Sequence, residues 1–291
     1  METGTAPAKT ANARRTLIVV LALIAAGLGG PRAFALDPMG PPVAGLEQGQ
    51  FKFGVDFSYS EMDLELDNGQ WVEFLDGVWF DAGEATSFDL KDFEAARTFV
   101  NFGYGFVDNV EGFIRVGGTK SEFGDSLWED SEEFESGSNL VVGAGLKATF
   151  FEQDGLKLGG IIQGSYAEYQ GELDAPHWAA ADFVEVNLTQ VQLALGASYT
   201  WAETFSIYGG PFLHFVSGDL YDNVTELLVD EFGAPLPNLL ASEYTWEIDE
   251  DSVFGAYLGA QLEIGENCAV NVEYQKTAAA DAFGAGIMWR F

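Results

Sequence analysis

Bulky apolar residues take every second position in short stretches of this chain. Phe51, Phe53, Val55, Phe57 and Tyr59 alternate with Lys52, Gly54, Asp56, Ser58 and Ser60. Successive side chains of a β-strand point to opposite faces, so the spacing predicts a strand with one apolar and one polar face. The pattern returns over residues 98–106, around Ile114 and Val116, and over 139–151, 156–166, 184–199, 205–215, 252–264, 269–276 and 283–291, ten strands in all. In 184–199 the apolar parity slips from even to odd between Leu188 and Val191, which predicts a β-bulge at Thr189 and Gln190. Pro211 lacks a ladder donor, so irregularity is expected there.

The connections alternate in length. Strands two and three, four and five, six and seven, and eight and nine are joined by three to five residues, whereas 61–97, 120–138, 168–183 and 217–251 are long links. Short turns on one side and long loops on the other predict an all-β, transmembrane, antiparallel up-and-down β-barrel of about ten strands, with eight or twelve as neighbouring solutions. An even number puts both ends on the periplasmic side. The link at 277–281 is the exception, short where an external loop is expected. A secreted β-sandwich also alternates, but it would have to bury the smaller, more polar parity, which lumen water and mutual pairing satisfy in a barrel.

The first residues address the compartment. Arg14 and Arg15 precede an apolar run over 17–30, followed by Ala33-Phe34-Ala35, which reads as a secretory signal cleaved before Leu36. The expected organisation is a signal at 1–35, a Pro- and Gly-rich periplasmic lead at 36–50 and a barrel at 51–291. No second long apolar stretch follows, which excludes helical multispan proteins, because each helical span needs about twenty such residues. A closed barrel is the remaining way to cross.

With 46 Asp and Glu against 13 Lys and Arg, the chain carries a formal net charge of -33. Nucleic acid is thereby excluded as a partner, since phosphate binding relies on cations. Cys268 stands alone and no Cys or His cluster occurs, so neither a disulfide nor a zinc, haem or iron–sulfur site is expected, and no cofactor is assigned.

The terminal Trp289-Arg290-Phe291 and glycine-aromatic strands such as Ile207-Tyr208-Gly209-Gly210-Pro211-Phe212 resemble the small outer-membrane β-barrels of Gram-negative bacteria, OmpA-like or OmpW-like in broad style, over 51–291. The resemblance implies a monomer in the outer membrane, in contact with lipid and lipopolysaccharide. It also implies that Trp289 and Phe291 act as the C-terminal signal read by the barrel-assembly machinery.

Lys52, Arg115, Lys147, Lys157 and Arg290 fall on the inward parity, as do Asp56, Glu263 and Glu273. Unpaired interior charges are costly, and barrels of about eight strands are just wide enough for side chains to fill. A lumen closed by paired charges is therefore expected, with a narrow anion-favouring channel as the alternative. The segment 61–94 holds eleven acids against Lys91, and 122–135 holds seven. These loops are candidates for divalent-cation contact, although no spaced calcium-loop signature appears. Trp71, Phe74, Trp79, Phe80 and Trp128 in the same loops point to strand extensions or a partner surface.

Only His177 and His214 offer imidazole bases. His214 precedes Ser217 and Asp219, but strand geometry sets His214 and Ser217 on opposite faces, and the Asp and Asp-His pairs of the ten-stranded omptin proteases are not evident. No enzyme is expected.

Overall fold

A computed structural model describes residues 36–124, 133–173, 179–229, 235–250 and 253–291. Among these residues thirteen strands form one antiparallel sheet: β1 (Phe51–Leu75), β2 (Val78–Glu84), β3 (Phe88–Val107), β4 (Val110–Gly124), β5 (Glu133–Ser136), β6 (Asn139–Gln153), β7 (Leu156–Leu173), β8 (Ala179–Trp201), β9 (Phe205–Val229), β10 (Pro235–Glu250), β11 (Phe254–Ile264), β12 (Cys268–Thr277) and β13 (Ala280–Arg290). The ten predicted strands are β1, β3, β4, β6, β7, β8, β9, β11, β12 and β13. Tight turns join them where the backbone can go left-handed, as at Asp154 and Gly155 (φ 49° and 84°) between β6 and β7.

The sheet closes, and it does so twice. In the lower half the ring has ten strands and is sealed by β13 against β1, with Val55 opposite Ile287. Higher up, β12 and β13 have ended and β1 changes partner: Met62 pairs with Ala280 of β13, but Leu64 pairs with Glu250 of β10. β9 does the same, passing from Phe254 of β11 at Leu213 to Asp249 of β10 at Ser217. β5 meanwhile takes the place of β6 between β4 and β7. The upper ring therefore consists of β1, β3, β4, β5, β7, β8, β9 and β10. The short link at 277–281 is explained by this: β12 and β13 form a half-height hairpin that widens only the lower barrel, and Asp63 caps its tip through a 2.9 Å bond from its amide to the Ala279 carbonyl.

Most residues expected in long loops are strand instead. The alternation does not stop at the membrane surface; its polarity reverses. Along β1 the inward Lys52, Asp56, Ser58 and Ser60 give way to inward Met62, Leu64 and Leu66, each at most 1% exposed, while Glu61, Asp63 and Glu65 turn outward. Lipid wants apolar side chains outside, whereas water outside sends them in.

The same reversal corrects the bulge expected at Thr189 and Gln190. β7 and β8 pair without a break from Ala167 opposite Leu188 to Gly164 opposite Val191. Val184, Val186 and Leu188 face in, and Val191, Leu193 and Leu195 face out, because the strand crosses the boundary between them. Register shifts occur instead in β1 near Asn68 and where Met62 and Leu64 face β3, the latter accommodating Asp92. Both Asn68 and Asp92 have positive φ (52° and 55°). At Pro211 the ladder to β8 lapses between Phe212 and Gly209, as a missing donor requires, while pairing to β11 continues.

Large side chains of the lower outer face point away from the barrel: Ile114, Leu140, Phe150, Phe254 and Leu258 are 63–67% exposed. Strands β11, β12 and β13 contain 11, 10 and 11 residues. This is the roughly 9–11 residues a tilted strand needs to span the hydrocarbon. Strands β1 and β9 have 25 each. At about 3.3 Å per residue and a tilt of about 40° they rise about 60 Å, well above an apolar band of about 25 Å.

Candidate functional site

The residues before β1, expected as a periplasmic lead, run up into the wide lower barrel. Ten strands leave room that eight do not. The lead enters along β3, where the Gly49 amide donates to the Gly105 carbonyl (2.9 Å) and the Gly105 amide to the Gln50 carbonyl (3.0 Å). Gly105 itself admits the chain, since a side chain there would strike the Glu47 carbonyl. Past this exposed mouth the lead is buried at Leu46 and from Ala44 to Leu36, which has 0% exposure.

A buried extended segment has no secondary structure to satisfy its backbone, so the wall must do it. Glu111 accepts from the Gly45 amide (2.8 Å), Thr149 from the Ala44 amide (3.0 Å) and Glu273 from the Met39 amide (2.9 Å). Lys147 donates to the Met39 and Pro41 carbonyls at 2.6 and 2.9 Å. Lys52 neutralises the other Glu111 oxygen at 2.5 Å.

At the top of the lead, Asp37 accepts from Arg97 at 2.8 Å and lies 3.9 Å from Arg115. Arg97 is held in turn by Gln190 (3.0 Å) and Tyr169 (2.6 Å). Arg115 donates to Gln163 (2.5 Å) and stacks its guanidinium over Phe99 and Phe113 at 5.0 and 5.1 Å. Amide side chains continue the belt: Gln163 donates to Gln192, Gln192 to Gln275, and Gln275 to the Asp37 carbonyl at 2.8 Å. A small cavity beside Met39, Asp56 and Lys147 measures about 40 Å³. That is space for very few waters.

Above Asp37 the interior turns apolar. Phe93 stacks on Phe123 (5.8 Å) and meets Tyr169 edge-on (5.5 Å), and Phe123 stacks on Phe134 (4.4 Å). All four rings are at most 4% exposed and form one cluster with Leu36, Met62, Leu64 and Leu188. The interior thus has two packed layers in series, a polar one built on the lead and an apolar one built on the eight-stranded ring.

Of the residues expected to line the lumen, Lys52, Asp56, Arg115, Lys147 and Glu273 lie within it, and Asp56 is bound by Asn101 at 2.7 Å. The other three sit at the rim of the lower barrel, beside its short turns. Lys157 pairs with Glu152 across the β6–β7 turn at 2.9 Å, 35% exposed, and Arg290 pairs with Glu263. Sequence reasoning missed Arg97, Glu111 and Asp37. The sequence pattern puts Arg97 at the end of a long link and Asp37 in the lead, and the available signal is that each continues an inward parity or faces one. His214 is inward and buried (0%), Ser217 and Asp219 are outward, and His177 and Trp128 lie outside the described residues.

The outer surface of the upper barrel is acidic. Lys91 lies 3.3 Å from Asp89 and 3.6 Å from Asp63, and these carboxylates raise its pKa above the ordinary lysine value. Burial, then Glu243, pushes the Tyr221 phenol up. Among the described residues, no set of three or more His, Cys, Asp or Glu is gathered as a metal site. Trp79 and Phe80 of β2 are each 63% exposed on a hairpin above the ring.

A closed antiparallel ring with an apolar outer belt and a polar, filled lower interior defines an outer-membrane-type β-barrel. The C-terminal strand completes it: the Phe291 amide donates to the Phe51 carbonyl (2.9 Å), and Trp289 packs outward against Phe53 (6.2 Å). Solved structures of similar shape include the outer membrane protein OprG from Pseudomonas aeruginosa (11% identity, TM-score 0.41, covering 85% of this chain and 98% of that one). The outer membrane protease OmpT from Escherichia coli aligns at 13% identity and TM-score 0.42, over 82% and 97%. The translocator domain of the autotransporter NalP from Neisseria meningitidis aligns at 14% and 0.39, over 99% and 100%. No protein-family model and no curated protein matches the chain.

Proposed function

We propose that this protein is a monomeric resident of the bacterial outer membrane with a structural or surface-interaction role, and that its lumen is closed at rest. The observation that carries the reading is the lead bound across the lower lumen through Asp37, Lys147 and Glu273, beneath an apolar interior. No enzymatic role is assigned, in keeping with the separation of His214 from Ser217 across the wall. The belt contacts acyl chains. The acidic collar above it meets lipopolysaccharide phosphates through divalent counterions, and Trp289 and Phe291 present the chain to the barrel-assembly machinery.

Planar-bilayer recording of protein extracted from outer membranes tests the closed lumen. A silent bilayer is expected. Stable single-channel steps from the unaltered protein would replace this reading with a narrow channel.

A further inference from the structure

We propose that Arg97 and Arg115 form a carboxylate-binding site in the lower chamber, one that Asp37 of the lead fills and a small free carboxylate can fill in its place. The inference rests on the closed-lumen reading and deepens it by naming the chemistry the chamber recognises.

Three observations lead there. The first is charge. Among the described residues, the wall around the lead presents Lys52, Arg97, Arg115 and Lys147 against Asp56, Glu111 and Glu273, four cations facing three acids with His214 taken as neutral. Asp37 is the only charged residue between Leu36 and Leu46, and it brings the fourth carboxylate. Buried charge is costly unless it is matched, so the wall by itself is short of one anion.

The second is the supply of donors. Arg97 reaches Asp37 at 2.8 Å and Arg115 stands 3.9 Å away. Arg115 Nε and Gln190 Nε2 are buried and donate to no atom among the described residues, although the Gln190 oxygen already accepts from Arg97 at 3.0 Å. The hydroxyls of Ser58 and Thr119, which lie opposite Arg97 on β1 and β4, are in the same condition. The guanidinium pair therefore sits among more donors than Asp37 uses. Unmet buried donors favour a ligand rich in acceptors, and a carboxylate offers about four lone-pair sites.

The third is where selectivity resides. The other polar contacts of the buried lead run through its main chain, from the Met39, Ala44 and Gly45 amides and to the Asp37, Met39 and Pro41 carbonyls. Any extended chain offers those groups. What singles out an occupant is the carboxylate, which meets guanidiniums from two neighbouring strands whose planar forks match it in shape and charge.

The test reads maleimide labelling of Met39→Cys in a Cys268→Ser background, on protein extracted from outer membranes, with heat-modifiable migration confirming a folded barrel. With Asp37 replaced by Ala, labelling should rise severalfold, because the lead opens more often. Sodium acetate should then lower it along a saturating curve that sodium chloride at equal ionic strength does not give, and Arg97→Met added to Asp37→Ala should abolish the difference. With Asp37 present the sign reverses: acetate competes with the lead, and labelling should rise above its level in chloride. Should Asp37→Ala not accumulate as a folded barrel, its yield on refolding from urea is the readout and should be higher in acetate than in chloride. Acetate and chloride acting alike on either chain, or an acetate effect that survives the loss of Arg97, overturns the proposal. Single-channel steps from the unaltered protein would instead remove the closed-lumen reading, whereas a silent barrel indifferent to acetate would remove this inference alone.

Discussion

Asp37 and Arg97 meet at 2.8 Å in the middle of the barrel although sixty positions separate them. Both are nearly fully buried, and Arg115 approaches the same carboxylate at 3.9 Å. Breaking a buried charge cluster from one side leaves its partners uncompensated, at a cost of about 3–5 kcal/mol. Asp37→Ala should lower the urea midpoint of the refolded protein accordingly. Adding Arg97→Met should restore part of the loss. An unchanged midpoint for Asp37→Ala would mean that the cluster does not hold the lead.

In the proposed closed lumen the two layers act in series, so removing one leaves the other. Deleting residues 38–48 should give a barrel that still records no current, because the aromatic layer above is untouched. Phe93→Ala and Phe134→Ala added to that deletion should produce single-channel steps. Steps from the deletion alone would show that the upper ring does not seal.

Gly105 offers a cleaner way to expel the lead, since the atoms that a side chain there would strike belong to Glu47 and Leu46 of the lead. Gly105→Val should cost about 1–3 kcal/mol as an overpacked contact. Labelling of Met39→Cys should increase with it. Wild-type protection would place the lead elsewhere.

The reversal of polarity predicts where charge is tolerated on one strand. Ile162 and Gln170 both face outward on β7, the first 48% exposed in the apolar belt and the second hydrogen-bonded to Glu168 and Glu185 above it. Ile162→Arg should destabilise the folded barrel by about 2–4 kcal/mol in lipid, and Gln170→Arg by less than about 1 kcal/mol. Equal effects in a vesicle-refolding titration would put the membrane boundary in the wrong place.

Phe291 is 76% exposed, yet its backbone closes the ring with Phe51. Phe291→Ala keeps both backbone bonds, so the folded barrel should melt near the parent temperature. The amount reaching the outer membrane should fall severalfold if the side chain is read during assembly. Parent-level yield would leave the residue no role beyond pairing.

The lower barrel was legible in the sequence because lipid leaves no choice: in β7, Leu158, Ile162 and Tyr166 had to face out, and the ten segments carrying that signature are the ten strands of the lower ring. The upper half was not legible by the same template. Met62, Leu64 and Leu66 alternate as cleanly as Phe53, Val55 and Phe57, but on the other parity, and a search for apolar-out strands reads them as an acidic loop. Lys157 and Arg290 show the complementary error, since parity gives a face and not a depth. Both proved to lie at the rim.

What the chain determined by itself was therefore which residues share a face and how many times the sheet crosses the membrane, because alternation is a property of the extended backbone. Whether a face looks into a lumen, into lipid or into water was decided by closure: the step from ten strands to eight at the tip of the β12–β13 hairpin. That step makes a lower chamber wide enough to take the segment from Leu36 to Gly49 and an upper one too narrow for anything but its own side chains. Residues as distant as Met39 and Glu273 learn of each other only when the ring is shut, since no local pattern records which carboxylate will find an unpaired amide.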